Sequence, residues 1–109
     1  MKIAVVGSRN ITVSDLGIYI PRCKEIVSGG AVGVDSSAAK YAEEKGIKLT
    51  VFTPQYQRYG RAAPIVRNKM IVDYADDVIV FWDGESKGAQ SVIKYAEKSG
   101  KACRVVICR

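Results

Sequence analysis

Asp77-Val78-Ile79-Val80-Phe81-Trp82-Asp83-Gly84-Glu85-Ser86-Lys87-Gly88 holds an unbroken apolar run, a stop of small and polar residues, and the start of a new pattern. A run apolar throughout, rather than alternating, is what a strand covered on both sheet faces requires. Beyond it, Ala89, Val92, Ile93 and Ala96 follow the i, i+3, i+4, i+7 spacing, which predicts a helix from about Gly88 to Ser99 stopped by Gly100. A strand followed by a helix and then another strand is the crossover unit of a parallel sheet.

Outward from this stretch the pattern repeats. Ile3-Ala4-Val5-Val6 stops at Gly7, Glu25-Ile26-Val27-Ser28 at Gly29-Gly30, and Leu49-Thr50-Val51-Phe52-Thr53 at Pro54. Ala102-Cys103-Arg104-Val105-Val106-Ile107 supplies the last apolar run. Between them, Asp35 or Ser36 is a suitable N-cap for a helix through about Lys45, with Gly46 as its stop and Ala38 and Ala42 as a narrow face. A helix from about Ala63 to Tyr74 tolerates Pro64 in its first turn. Ser14 to Tyr19 is read as a shorter helix. The sum is one α/β domain over residues 1–109, doubly wound around a mainly parallel five-stranded sheet.

Composition bounds the chemistry. With 109 residues the chain feeds one core, and 48% apolar residues are too many for intrinsic disorder. No apolar run approaches the ~20 residues of a membrane span, and Met1 leads into a strand rather than a signal peptide. Cys23, Cys103 and Cys108 form no CxxC and read as reduced, cytoplasmic and mostly buried. Histidine is absent, which excludes a Ser-His-Asp triad, a Cys-His dyad and the usual zinc sites. Neither a metal nor a cofactor is expected. The net charge of +6 favours anionic partners, although solvated faces often carry such an excess. Its distribution is more telling. From Pro54 to Met70 stand Arg58, Arg61, Arg67 and Lys69 with no acid, beside Tyr56 and Tyr59. Cations beside aromatics suit phosphate and base-stacking contacts.

In a doubly wound sheet, ligands sit outside the carboxyl ends of the strands. There this sequence places Gly7-Ser8-Arg9-Asn10, Ser28-Gly29-Gly30-Ala31-Val32-Gly33-Val34-Asp35 and Asp83-Gly84-Glu85-Ser86-Lys87-Gly88. Glycines let backbone N–H groups approach an anion, and helix N-termini aim a positive dipole at it. Neither GxxxxGK[ST] nor GxGxxG occurs, so spacing alone gives an anion site and no nucleotide class.

The strings Ser28-Gly29-Gly30-Ala31-Val32-Gly33-Val34-Asp35-Ser36-Ser37-Ala38-Ala39 and Arg67-Asn68-Lys69-Met70-Ile71, the latter leading into Ala75-Asp76-Asp77-Val78-Ile79-Val80, resemble the Smf/DprA–LOG (SLOG) superfamily. Gly60-Arg61-Ala62-Ala63-Pro64-Ile65-Val66-Arg67-Asn68 is similar to its small stand-alone branch related to YspA and YpsA. The resemblance spans nearly the whole chain. It implies a Rossmann-like three-layer sandwich with a pocket for a nucleotide or nucleotide derivative. Gly7, Ser8 and Arg9 would match the first-strand element, with Arg9 reaching a phosphate or base. Gly29, Gly30, Gly33 and Asp35 would form the second loop, Asp35 either capping the helix or accepting from a ribose or base. Arg67 would clamp a phosphate beside Asn68, while Ser86 and Gly88 would open the last helix. Apart from the resemblance, Trp82 reads as a base-stacking ring or, more commonly for tryptophan, as a core or interface residue.

The resemblance has departures. The phosphoribohydrolase members carry PGGxGTxxE after the fourth strand, whose threonine and glutamate positions are Ala89 and Val92 here. Losing that carboxylate removes several kcal/mol of barrier lowering, roughly, unless Asp83 or Glu85 substitutes. The leading expectation is therefore a binding module or sensor without catalytic residues. Its alternatives are a phosphoribohydrolase-like enzyme and a DprA-like binder of single-stranded DNA. No membrane partner is expected. Ile65, Met70, Ile71 and Tyr74 offer a seam for homodimers or higher homo-oligomers, though burial against the sheet would use the same residues.

Overall fold

The structure is a computed structural model that describes residues 1–30 and 33–108. Its strands are β1 (Lys2–Gly7), β2 (Glu25–Ser28), β3 (Lys48–Val51), β4 (Asp77–Trp82) and β5 (Ala102–Ile107). Its helices are α1 (Val34–Lys45), the single turn α2 (Tyr56–Tyr59), α3 (Ala63–Tyr74) and α4 (Lys87–Lys98), with 3-10 turns at Leu16–Ile18 and Gly60–Ala62. All strand pairs are parallel, in the order β3-β2-β1-β4-β5. The fold is thus a Rossmann-like α/β sandwich with a five-stranded, wholly parallel sheet.

The apolar runs divide by residue parity, as strand geometry demands. Ile3 and Val5 of β1 and Ile79 and Phe81 of β4 face α1 (Val34, Ala38, Ala42) and the segment bearing Ile11, Leu16 and Ile20. Ala4 and Val6 face the other way with Val78 and Val80, against Ile71 and Val72 of α3 and Ala89, Val92 and Ala96 of α4. Tyr19 meets Phe81 edge-on at 5.1 Å between ring centroids.

Several local expectations are corrected. The N-cap of α1 is Gly33, so Asp35 lies within the first turn and neither it nor Ser36 is the capping position. Gly46 does end the helix, in the left-handed conformation (φ 66°). The predicted helix over 14–19 shrinks to one 3-10 turn, and β3 ends at Val51 rather than Thr53. The cysteines are half-buried free thiols, with burial raising the pKa of Cys23 and Cys103. Ile71 of the expected seam is wholly buried and Tyr74 half-buried, while Ile65 and Met70 stay exposed. Among the described residues no helix is long and apolar enough to cross a membrane.

Candidate functional site

After β3 the chain crosses back over β1 to form β4, so the carboxyl ends of β1 and β4 flank the point where strand order reverses. A cavity of about 410 Å³ opens there. β1 and its loop contribute Val6, Gly7, Arg9 and Asn10, and the β2–α1 connection contributes Gly29 and Asp35. From α3 come Pro64, Arg67, Asn68 and Ile71, and from the start of α4 come Ser86, Gly88, Ala89 and Val92. Val6, Pro64, Ile71, Ala89 and Val92 give it apolar wall, and two guanidinium groups stand among the polar lining side chains.

Arg67 lies at the centre of this arrangement. Its Nη1 donates to the Gly29 carbonyl at 2.7 Å and its Nε to Asn68 Oδ1 at 2.9 Å. Burial lowers its pKa, Asp35 opposes that fall, and the nearby charge of Arg9 adds to it. A guanidinium titrates so high that it stays charged throughout. The two arginines therefore share one cavity and feel each other. The sequence also offers Asp73 and Asp76 as partners for Arg67; among the described residues Asp73 accepts from Tyr95 and Asp76 from the Lys2 backbone N–H, and the hydrogen bonds of Arg67 go to Gly29 and Asn68 instead.

The glycines act mainly by letting chains approach. A Cβ on Gly29 would lie 2.7 Å from Arg67 Nη1 and 3.1 Å from Asp35 Oδ2. One on Gly7 would overlap the Phe81 carbonyl and stand 2.7 Å from Val34 Cγ2. Gly33, at φ 78° and ψ −123°, lies under the first loop, where a Cβ would overlap the Arg9 carbonyl and come within 2.8 Å of Ser8 O. Residues 31 and 32, which the sequence reading included in this loop, lie outside the described residues.

Not every expected site residue lines the cavity. Ser8 is buried, donating its N–H to Phe81 O at 3.0 Å and accepting the Asp83 N–H on Oγ at 3.3 Å. It fastens the first loop to the fourth-strand loop. Gly30 is exposed, turned toward Ser28 Oγ at 3.4 Å, and Gly33 supports from below. Asp83 is held by its own loop: Oδ1 accepts the Ser86 and Glu85 N–H groups at 2.7 and 2.9 Å, and these bonds lower its pKa. Trp82 donates Nε1 to Ser86 O at 2.9 Å and packs against the α3–α4 side of the core. It and Asp83 together set the entry to α4. Arg58, Arg61 and Lys69 project to solvent outside the lining.

Sequence reasoning missed Asn10, whose signal was its place directly after Arg9 in a strand-end loop, and the apolar walls Val6, Pro64, Ile71 and Ala89. Comparison with protein-family models, curated proteins and solved structures gives no match for this chain.

Proposed function

We propose that this domain is a binding module of the SLOG type, which holds a nucleotide or nucleotide-derived phosphate ester at the crevice between β1 and β4. The observation that carries the reading is that Arg9 and Arg67 line one cavity at the strand ends together with the first residues of α4. In that position two cations and a helix N-terminus act on the same anion. The volume of about 410 Å³ lies in the range of small-molecule sites, and Val6, Pro64, Ile71 and Val92 offer apolar wall to the unphosphorylated part. Asp35 is suited to accept from a ribose hydroxyl or a base N–H.

Binding without turnover is favoured over hydrolysis. Val92 occupies the wall where the hydrolase pattern has a carboxylate, Asp83 is committed to its own loop, and Glu85 points to solvent. Calorimetry with adenosine 5′-monophosphate, other 5′-mononucleotides and the matching nucleosides tests the reading. Mononucleotides are expected to bind and nucleosides to bind much less, with only shallow salt dependence. Steep salt dependence and preference for an oligonucleotide would replace this reading with single-stranded nucleic-acid binding. Release of free base and ribose 5-phosphate would replace it with an enzyme.

A further inference from the structure

Arg67 is held from two sides, and only one of them is a direct contact with another element. On the α4 side a chain of donors runs away from it. Arg67 Nε donates to Asn68 Oδ1 at 2.9 Å, Asn68 Nδ2 donates to Ser91 Oγ at 3.4 Å, and Ser91 Oγ donates to the Gly88 carbonyl at 2.8 Å. The direction of the chain is fixed by proton count. A serine hydroxyl has one proton, and here it goes to Gly88 O, so Ser91 faces Asn68 as an acceptor. Asn68 must then turn its NH₂ toward Ser91, which leaves its oxygen toward Arg67.

We infer that Ser91, which lies outside the cavity lining, is a positioning residue for Arg67: its hydroxyl sets the orientation of the Asn68 amide, and the amide sets the guanidinium. This rests on the reading of Arg67 as the anion-holding group. The inference adds that the guanidinium is aimed before the ligand arrives, by the same amino-terminal part of α4 that, with its N-cap Ser86, contributes Gly88 to the cavity. Without the hydroxyl, only the Arg67 Nε–H still selects the oxygen end of the Asn68 amide, the amide loses its anchor on α4, and the guanidinium it orients is held less firmly. Preorganisation of this kind raises affinity by removing an ordering cost from the binding step.

The test uses Ser91→Ala and Ser91→Thr in the full chain. Alanine is the better helix former, so S91A is expected to melt no lower than the wild type while losing function. Threonine keeps a hydroxyl able to bond the carbonyl of the preceding turn, and is expected to restore it. In ligand-free protein, NMR exchange of the Arg67 Nε–H with solvent should quicken in S91A and return toward wild type in S91T. By calorimetry, adenosine 5′-monophosphate should bind S91A roughly 3–10-fold more weakly, the effect of one neutral hydrogen bond. Unchanged Nε–H exchange in S91A overturns the relay whatever the nucleotide does. Equal affinity of S91A and wild type for the nucleotide overturns its role in binding and leaves the site intact. If the wild type itself binds neither the nucleotide nor inorganic phosphate, the reading of the site fails, and the exchange measurement still decides the relay.

Discussion

Helix α3 is tied to β2 at both ends by a charged group, and the two ties differ in what they leave over. At the amino end of the sheet Glu25 is almost out of solvent and accepts from Tyr74 Oη at 2.6 Å and Thr50 Oγ1 at 2.7 Å, with Lys48 Nζ 3.8 Å away. Lys2 lies over the Tyr74 ring at 4.1 Å. At the carboxyl end Arg67 reaches the carbonyl that follows β2 and faces a cavity of about 410 Å³. The first tie is taken up by protein partners, two hydroxyl donors on one carboxylate oxygen and a lysine near the other; the second keeps a cation beside open volume. A charge surrounded by its own partners holds the fold together, and a charge beside an opening has something left to offer a ligand.

The contrast can be broken by substitution, beginning with the largest effect. Arg67→Ala should weaken mononucleotide binding by about 1.5–3 kcal/mol, a loss of roughly 10- to 150-fold, while the domain stays folded and its melting temperature falls only modestly, from the lost Gly29 bond. Calorimetry and a thermal melt on one sample check both halves. Gly33→Ala should act on the fold instead. Its backbone conformation costs a non-glycine residue about 1–3 kcal/mol, and the added methyl overlaps the Arg9 carbonyl. Urea unfolding would show it, and an unchanged midpoint would mean that the first loop can retreat from α1.

Glu25→Gln sharpens the comparison from the other side: the melting temperature should fall with nucleotide affinity unchanged. Hydrogen bonds from Tyr74 and then Thr50 hold the Glu25 pKa below its ordinary 4.5. A lowered native pKa means that the unfolded chain binds more protons in that range, so this stability is complete above about pH 4.5 and is lost as pH falls through the native value. Asp76 and Asp83, lowered from 3.8 by backbone N–H bonds, add to the same acid limb. Thermal melts from pH 7 down to pH 3 should therefore fall less steeply for E25Q than for wild type. The smallest effect belongs to Gly88→Ala. A Cβ there meets nothing within 4 Å, so stability should rise by about a few tenths of a kcal/mol from helix propensity. Lost nucleotide affinity in that variant would show close backbone approach by the ligand.

The sequence reading is nearest the structure where an element has clear stops, and α4, read from about Gly88 to Ser99, runs one residue earlier at each end. β4 over 77–82, β5 over 102–107 and α3 over 63–74 come out as expected, because each is bounded by a residue that cannot continue it or by a change of period. It fails where one residue type serves two purposes. Asp35 is a good N-cap by type, yet the sharp entry under the first loop needs a glycine, so Gly33 takes that position and Asp35 turns toward Arg67. Asp83 is offered by the sequence as a substitute for the missing carboxylate, and in the structure its Oδ1 accepts the Ser86 and Glu85 N–H groups of its own turn. Ser8 sits in a glycine-rich strand-end loop like its neighbours, but its side chain is spent on joining two loops. Ser91 gave no local signal at all, since its part depends on α3 and α4 lying side by side.

By itself the amino-acid sequence determined the alternation of buried strands and helices, and with it the edge of the sheet where small residues and arginines collect. Those properties are local: backbone conformation and side-chain periodicity act over a few neighbouring residues. Only the tertiary structure decided which of those residues meet across the crevice. Arg9 and Arg67 are far apart in the chain and come together because β1 is the strand on which the winding reverses. Contacts of that separation are set by the packing of the two core faces, which no single segment carries.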